Sequence, residues 1–214
     1  MQGSVTDTLN INNVVVNDTS TIGDATILDQ VGSVTNKITV DNVDIKSATM
    51  DGTIGTAVLF KFTGSCKAID FLNLDMTTIA STGALTLTQF NYNDYESLTL
   101  TTWTLTGVIF SQQAQLSKTL KLVDFTTNAK TQQLKIGTVT IDATSKVRDT
   151  TLFDLQGQIT SQLNIFPIDI TGGTFAFGTG GTEGQTTLIN LDVTMPASSV
   201  TTIKDWTMNT LTFD

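Results

Sequence analysis

Apolar residues in this chain recur in one phrase: apolar-x-apolar, two intervening residues, apolar-x-apolar. The clearest copy is Leu98-Thr99-Leu100-Thr101-Thr102-Trp103-Thr104-Leu105-Thr106. Strand side chains alternate between faces, so Leu98 and Leu100 share one side, and Trp103 and Leu105 share one side. The step from Leu100 to Trp103 is odd, and a straight strand would throw the second pair to the opposite face. A bend at Thr101-Thr102 keeps both pairs inward.

The phrase returns at Leu9/Ile11 with Val14/Val16, Ile38/Val40 with Val43/Ile45, and Leu85/Leu87 with Phe90/Tyr92. It returns again at Leu134/Ile136 with Val139/Ile141 and at Leu163/Ile165 with Ile168/Ile170. Weaker copies are Lys67/Ile69 with Leu72/Leu74, Leu120/Leu122 with Phe125/Thr127, Thr186/Leu188 with Leu191/Val193, and Thr201/Ile203 with Trp206/Met208. The second corner residue is often Asn or Asp (Asn13, Asn42, Asp124, Asn190, Asp205), types that tolerate backbone angles most residues avoid.

Starts at 9, 38 and 67 lie 29 residues apart, as do those at 134 and 163, a spacing suited to a repeated coil. Between 85 and 134 the starts are too close and uneven for one copy per coil. Either the phrase occupies more than one wall there, or the coil count is not readable. Val58-Leu59-Phe60-Lys61-Phe62 before Gly64 parallels Thr151-Leu152-Phe153-Asp154-Leu155 before Gly157 and predicts a further wall. Helix signal is confined to Phe110–Leu116, and the glycine-rich run Gly178–Gly184 reads as a turn rather than a phosphate cradle, since no lysine lies in it. A parallel solenoid is the leading expectation, with a β-sandwich or jelly roll of antiparallel hairpins as the alternative. Tight Asn-Gly or Asp-Gly hairpin turns are nearly missing, which argues against the latter, Asp51-Gly52 being the exception.

The two-strand phrase with an Asn-favouring corner resembles the pectin-lyase-like right-handed parallel β-helix family. The corners that carry the likeness are Asn12-Asn13, Asp41-Asn42, Thr88-Gln89, Thr101-Thr102 and Val123-Asp124. The resemblance implies an all-β, single-domain right-handed parallel β-helix over residues 1–214, whole or cut from a longer chain. It implies no particular activity.

Composition narrows the chemistry. The net charge of −9 and the single arginine, Arg148, leave no cationic footprint for nucleic acid and disfavour anionic membrane surfaces. No stretch has the length and apolarity of a membrane helix, so no membrane insertion is expected. With one cysteine, Cys66, and no histidine, neither an internal disulfide nor a Cys/His metal site is expected, and no cofactor is implied. Asn17-Asp18-Thr19 matches an N-glycosylation acceptor at Asn17.

In the family this chain resembles, enzymes acting on acidic polysaccharides use aspartates with basic partners; here that basic equipment is largely missing. Asp41 with Asp44, and Asp94 with Glu96, are the candidate carboxylate pairs for glycoside cleavage, and both read more simply as solvated surface groups. Stacking the copies in register predicts an outward polar column of Asp44, Asn73, Asn91, Thr104, Thr126, Thr140, Asp169, Asp192 and Thr207. Neither end shows an amphipathic capping helix, so the terminal coils are expected to belong to a longer chain or to be covered by neighbouring copies, end to end. The expectation is therefore a non-enzymatic structural β-solenoid, extracellular or at the cell surface, partnered by itself. A carbohydrate-binding or carbohydrate-cleaving module and an ice-binding solenoid are the alternatives.

Overall fold

The computed structural model describes the chain apart from residues 1–2, 18–20, 23–25, 47–48, 51–55, 78–79, 82–83, 107–108, 111–119, 143–145, 148–150, 176–186 and 214. Asp51-Gly52, most of the short helical candidate, Arg148 and the glycine run 178–184 thus lie outside the described residues. Every described strand pairing is parallel. That excludes the hairpin sandwich: the protein is an all-β parallel β-solenoid, as the resemblance implies.

The phrase forms two walls of each coil. Its strands are Thr8–Asn17, Ser33–Lys46, Cys66–Phe71 with Leu74–Thr77, Tyr95–Thr106, Lys130–Asp142, Gln158–Ile165 with Ile168–Phe175, and Val200–Ile203 with Trp206–Phe213. The first inward positions stack in the order Leu9, Ile38, Ile69, Leu98, Leu134, Leu163, Thr201. A third wall is a separate six-stranded sheet of Leu28–Gln30, Thr56–Phe62, Ala84–Phe90, Leu120–Phe125, Thr151–Leu155 and Thr187–Leu191. Between the second and third walls run two-residue strands, Thr21–Ile22, Thr49–Met50, Ala80–Ser81, Ile109–Phe110 and Lys146–Val147.

This arrangement resolves the crowded middle of the sequence, because the copies at 85, 120 and 186 lie on the third wall. It also corrects the copy at 67. Ile69, not Lys67, stacks between Ile38 and Leu98, so the inward set is Ile69/Phe71 with Leu74/Met76, all buried. The coil steps are 29, 31, 29, 36, 29 and 38 residues. The extra residues fall between the short strands and the third wall, while the other corners keep nearly constant length.

The bend is made by the second corner residue. Asn13, Asn42, Asn73, Thr102, Thr138 and Asp205 have φ of 58°, 51°, 41°, 61°, 53° and 55°. They sit one above another, each directly before an inward residue of the second wall. In the remaining coil Pro167 takes the place, joined to Phe166 by a cis peptide bond. Side-chain amides and carboxylates favour this left-handed conformation locally, whereas a β-branched residue opposes it. Asp124 and Asn190, expected at such corners, lie instead within third-wall strands. The third wall shifts phase without a left-handed residue: neighbouring positions Leu59 and Phe60, Leu122 and Val123, and Leu152 and Phe153 are buried together.

Inside, identical positions stack along the axis. Phe62 stacks on Phe90, its counterpart one coil on, at 5.3 Å, and rings of different walls meet edge-on across the interior, Phe60 with Phe71 at 4.7 Å and Phe71 with Trp103 at 5.1 Å. Burying each such ring contributes about 1.5–3 kcal/mol. Behind the third wall the chain turns through Gly157, whose added Cβ would lie 2.2 Å from the Ala129 carbonyl oxygen, so only glycine allows this approach.

Thr102 holds the left-handed corner with a branched side chain that disfavours it. Thr102→Asn is therefore expected to raise unfolding stability by about 0.5–1 kcal/mol in urea denaturation. An unchanged or lower midpoint would show that the corner carries no such strain.

Candidate functional site

Five members of the predicted column do align. Asp44, Thr104, Thr140, Asp169 and Thr207 occupy one register line on the second wall, which also contains Val15 and Asp75. Asn73 does not belong to it: the two-residue shift in its coil puts Asp75 in the column and Asn73 at the left-handed corner. Asn91, Thr126 and Asp192 lie elsewhere, just past the third wall. There their backbone N–H groups donate to Phe62, Phe90 and Leu155 carbonyls at 2.9, 3.1 and 2.9 Å. The Thr126 hydroxyl also donates to Asn91 Oδ1 at 2.6 Å. Asn17 ends the first long strand, and the rest of its glycosylation triplet lies outside the described residues.

Corner and column together enclose a shallow groove of about 360 Å³, lined by Asn42, Asn73 and Thr102 on one side and Asp44, Asp75 and Thr104 on the other. Neighbouring rungs hold its walls. Asp41 Oδ1 accepts from the Asn42 backbone N–H at 2.8 Å and from Asn73 Nδ2 at 2.7 Å, and Asn42 Nδ2 donates to Asn13 Oδ1 at 3.4 Å. Lys46 Nζ donates to Asp44 Oδ2 at 2.5 Å, while Asp44 Oδ1 is shielded from solvent and has no hydrogen-bond partner among the described residues. Asp41 and Asp44 thus have separate hydrogen-bond partners. Asp94 and Glu96 are exposed, with Lys67 3.7 Å from Glu96.

Sequence reasoning missed the most buried charges. On the outward face of the third wall, Lys61, Gln89, Asp124, Asp154 and Asn190 form one register line. Asp124 and Asp154 retain only 8% and 4% of their accessible surface. Lys121 bridges them, 3.2 Å from Asp124 Oδ1 and in direct ion-pair contact with Asp154 Oδ2. Gln89 Nε2 donates to Asp124 at 2.8 Å; Gln156 Nε2 and Asn190 Nδ2 donate to Asp154 at 2.8 and 2.9 Å. The signal was present in the matching phrases Leu122-Val123-Asp124-Phe125 and Leu152-Phe153-Asp154-Leu155, once the wall itself is known.

Burial alone would raise the Asp154 pKa. The Lys121, Gln156 and Asn190 hydrogen bonds outweigh it and hold the carboxyl below its ordinary value. For Lys121 burial lowers the pKa, and Asp154 and Asp124 outweigh that and raise it. A carboxylate so held is a poor proton donor near neutrality; the cluster ties adjacent coils together. Cys66 is buried with its thiol against the Ala68 carbonyl at 2.9 Å, and burial pushes its pKa up, away from the reactive thiolate. Among the described residues no three acidic, cysteine or histidine side chains converge as metal ligands.

No protein-family model, curated protein or solved structure matches the chain.

Lys121→Met leaves two buried carboxylates without their cation and is expected to cost about 3–5 kcal/mol at pH 7. The sign of the pH dependence follows from the lowered Asp154 pKa. Its stabilisation is complete above the ordinary value of 3.8 and is lost as pH falls through the lower folded value. Chemical denaturation of both proteins should therefore show the gap narrowing only in acid below that point. A gap constant down to pH 2 would contradict the assignment.

Proposed function

We propose that this protein is a non-enzymatic structural β-solenoid, working outside the cell or at its surface, that associates end to end and presents its polar walls along the resulting rod. The observation that carries this reading is the state of the two outermost described rungs. At one end Leu9, Ile11, Val14 and Val16, counterparts of fully buried residues one coil on, are only half-buried. At the other, Leu191, Val200 and Ile203 retain 44%, 55% and 41% of their surface, and Trp206 is half-buried. Among the described strands, Thr8–Asn17 pairs on one side only, as do Val200–Ile203 and Trp206–Phe213. Open parallel edges with apolar columns beside them favour further strands.

A second reading draws on the groove. Its amide, hydroxyl and carboxylate groups recur once per coil, about 4.8 Å apart, and suit the hydroxyls of a neutral glycan laid along the axis. Calorimetric titration with neutral oligosaccharides tests it; loss of binding heat in Asn73→Ala supports it, and no heat with any of them removes it.

End-to-end association predicts concentration-dependent growth in sedimentation velocity and elongated particles in electron microscopy. Ile203→Asp should weaken association at least tenfold without unfolding the coil. Compact monomers at every concentration would overturn the reading.

A further inference from the structure

We infer that the groove beside Asp44 and Asp75 selects glycans that carry protonated amines, seating one sugar ammonium between these two carboxylates while ring hydroxyls donate to Asn42 and Asn73. This rests on the groove reading above, a glycan laid along the axis, and adds the charge and the donor chemistry of the ligand.

Three observations carry it. First, the groove repeats one motif in register. Asn42-Val43-Asp44 lies beside Asn73-Leu74-Asp75, with Val43 paired to Leu74 and Asp44 to Asp75. Adjacent strands are about 4.8 Å apart, so one ammonium can meet both carboxylates. The flanking rungs present Val15 on one side and Thr104 on the other, so the paired charge is confined to the groove. Second, the groove offers mainly acceptors. Asn73 turns its Nδ2 to Asp41 Oδ1 at 2.7 Å, and Asn42 turns its Nδ2 to Asn13 Oδ1 at 3.4 Å, which leaves both amide oxygens to accept. Asp44 Oδ1 is shielded from solvent with no hydrogen-bond partner among the described residues, and a shielded charged oxygen without a donor is costly. Third, an ammonium is already favoured at the rim. Lys46 Nζ donates to the other oxygen, Asp44 Oδ2, at 2.5 Å. Its pKa is raised by the Asp44 hydrogen bond and charge and by the charge of Asp75. Both carboxylates thus act on one cation, and that cation leaves Oδ1 open.

The ligand class follows from what each candidate brings. An acidic glycan meets two carboxylates against one lysine, in a chain of net charge −9, and is repelled. A calcium ion calls for roughly six to eight oxygens, and Lys46 already holds one side of Asp44. A lysine side chain carries its ammonium on a methylene stem that gives nothing to Asn42 and Asn73. An amino sugar supplies the three N–H donors of an ammonium and hydroxyl donors on the same ring.

Calorimetric titration with a glucosamine oligosaccharide, its N-acetylated form and a lysine oligopeptide tests the inference. Acetylation keeps the hydroxyls and removes the charge; the peptide keeps the charge and removes the hydroxyls. The amino form should bind at least tenfold more tightly than either. Asp75→Asn, an isosteric change at an exposed position, should abolish that advantage. Asp94→Asn, which removes one exposed charge outside the groove, should leave it intact. Lys46→Gln frees Asp44 Oδ2 and should tighten binding of the amino form severalfold. Unchanged urea midpoints show that each variant is folded. Heat from the amino form alone supports the inference and removes the neutral ligand. Equal binding of the amino and acetylated forms overturns the inference and leaves the glycan reading standing. Equal binding of the peptide, or an equal loss in Asp94→Asn, shows attraction to net charge alone and overturns it too. No heat with any sugar overturns both.

Discussion

The structure depends on turning a strand through a sharp angle after an odd number of residues without sending its apolar side chains outward. A left-handed residue at the second corner position does this, since one reversed φ redirects the chain while the pleat resumes on the inward face. Asn13, Asn42, Asn73, Thr102, Thr138 and Asp205 supply it in turn. Once the corner is set, Leu98, Leu100, Trp103 and Leu105 all point to one interior, and stacking the next coil buries each above its counterpart. The threonines at 102 and 138 show that stacking outweighs local preference: a conformation costing about 1–2 kcal/mol for a branched residue is held by the inward side chains that follow it.

Stacking also explains how the polar walls are satisfied. In a solenoid each side chain has a counterpart ahead and behind, so amides and carboxylates can donate and accept along the axis. Asp41 takes hydrogen bonds from both its own corner and the next, and Asp154 accepts from its own coil through Gln156 and from the next through Asn190. Among the described strands the outermost rungs pair on one side only. There Leu9 is half-buried and Ile203 exposed, whereas the same positions one step inward, Ile38 and Ile165, are fully buried.

The phrase, its bend, the parallel stacking and the further wall were legible because each depends on residue type at fixed short spacing. Leu98 to Leu105 states the geometry within one strand length. The slip at Ile69 was not legible, since a strict 29-residue step and a true step of 31 both place apolar residues near the expected positions. What decides is the stacking of Ile69 on Ile38, a contact between coils. That slip moved Asp75 into the outward column and Asn73 out of it. Asp124 was misplaced for a related reason: on the third wall the phase shift occurs within a continuous strand, so an acidic residue there imitates a corner while facing outward beneath Lys121.

The buried ion cluster follows from the same difference between walls. On the first two walls a left-handed corner locks every coil but that of Pro167 against slipping by one residue, a slip that would turn every inward side chain outward. The third wall has no such lock, and the segment that feeds it varies most in length from coil to coil. A carboxylate pair bridged by one lysine is a costly way to gain stability, since desolvation offsets much of the attraction. It is, however, an effective key to alignment: Lys121 reaches both Asp124 on its own strand and Asp154 on the next only when Leu120–Phe125 and Thr151–Leu155 lie in register. A shift by one residue would turn a carboxylate inward among Leu122, Phe125 and Phe153, at a cost no neighbouring contact could offset. Length variation can therefore enter each coil just before the third wall without disturbing the stack.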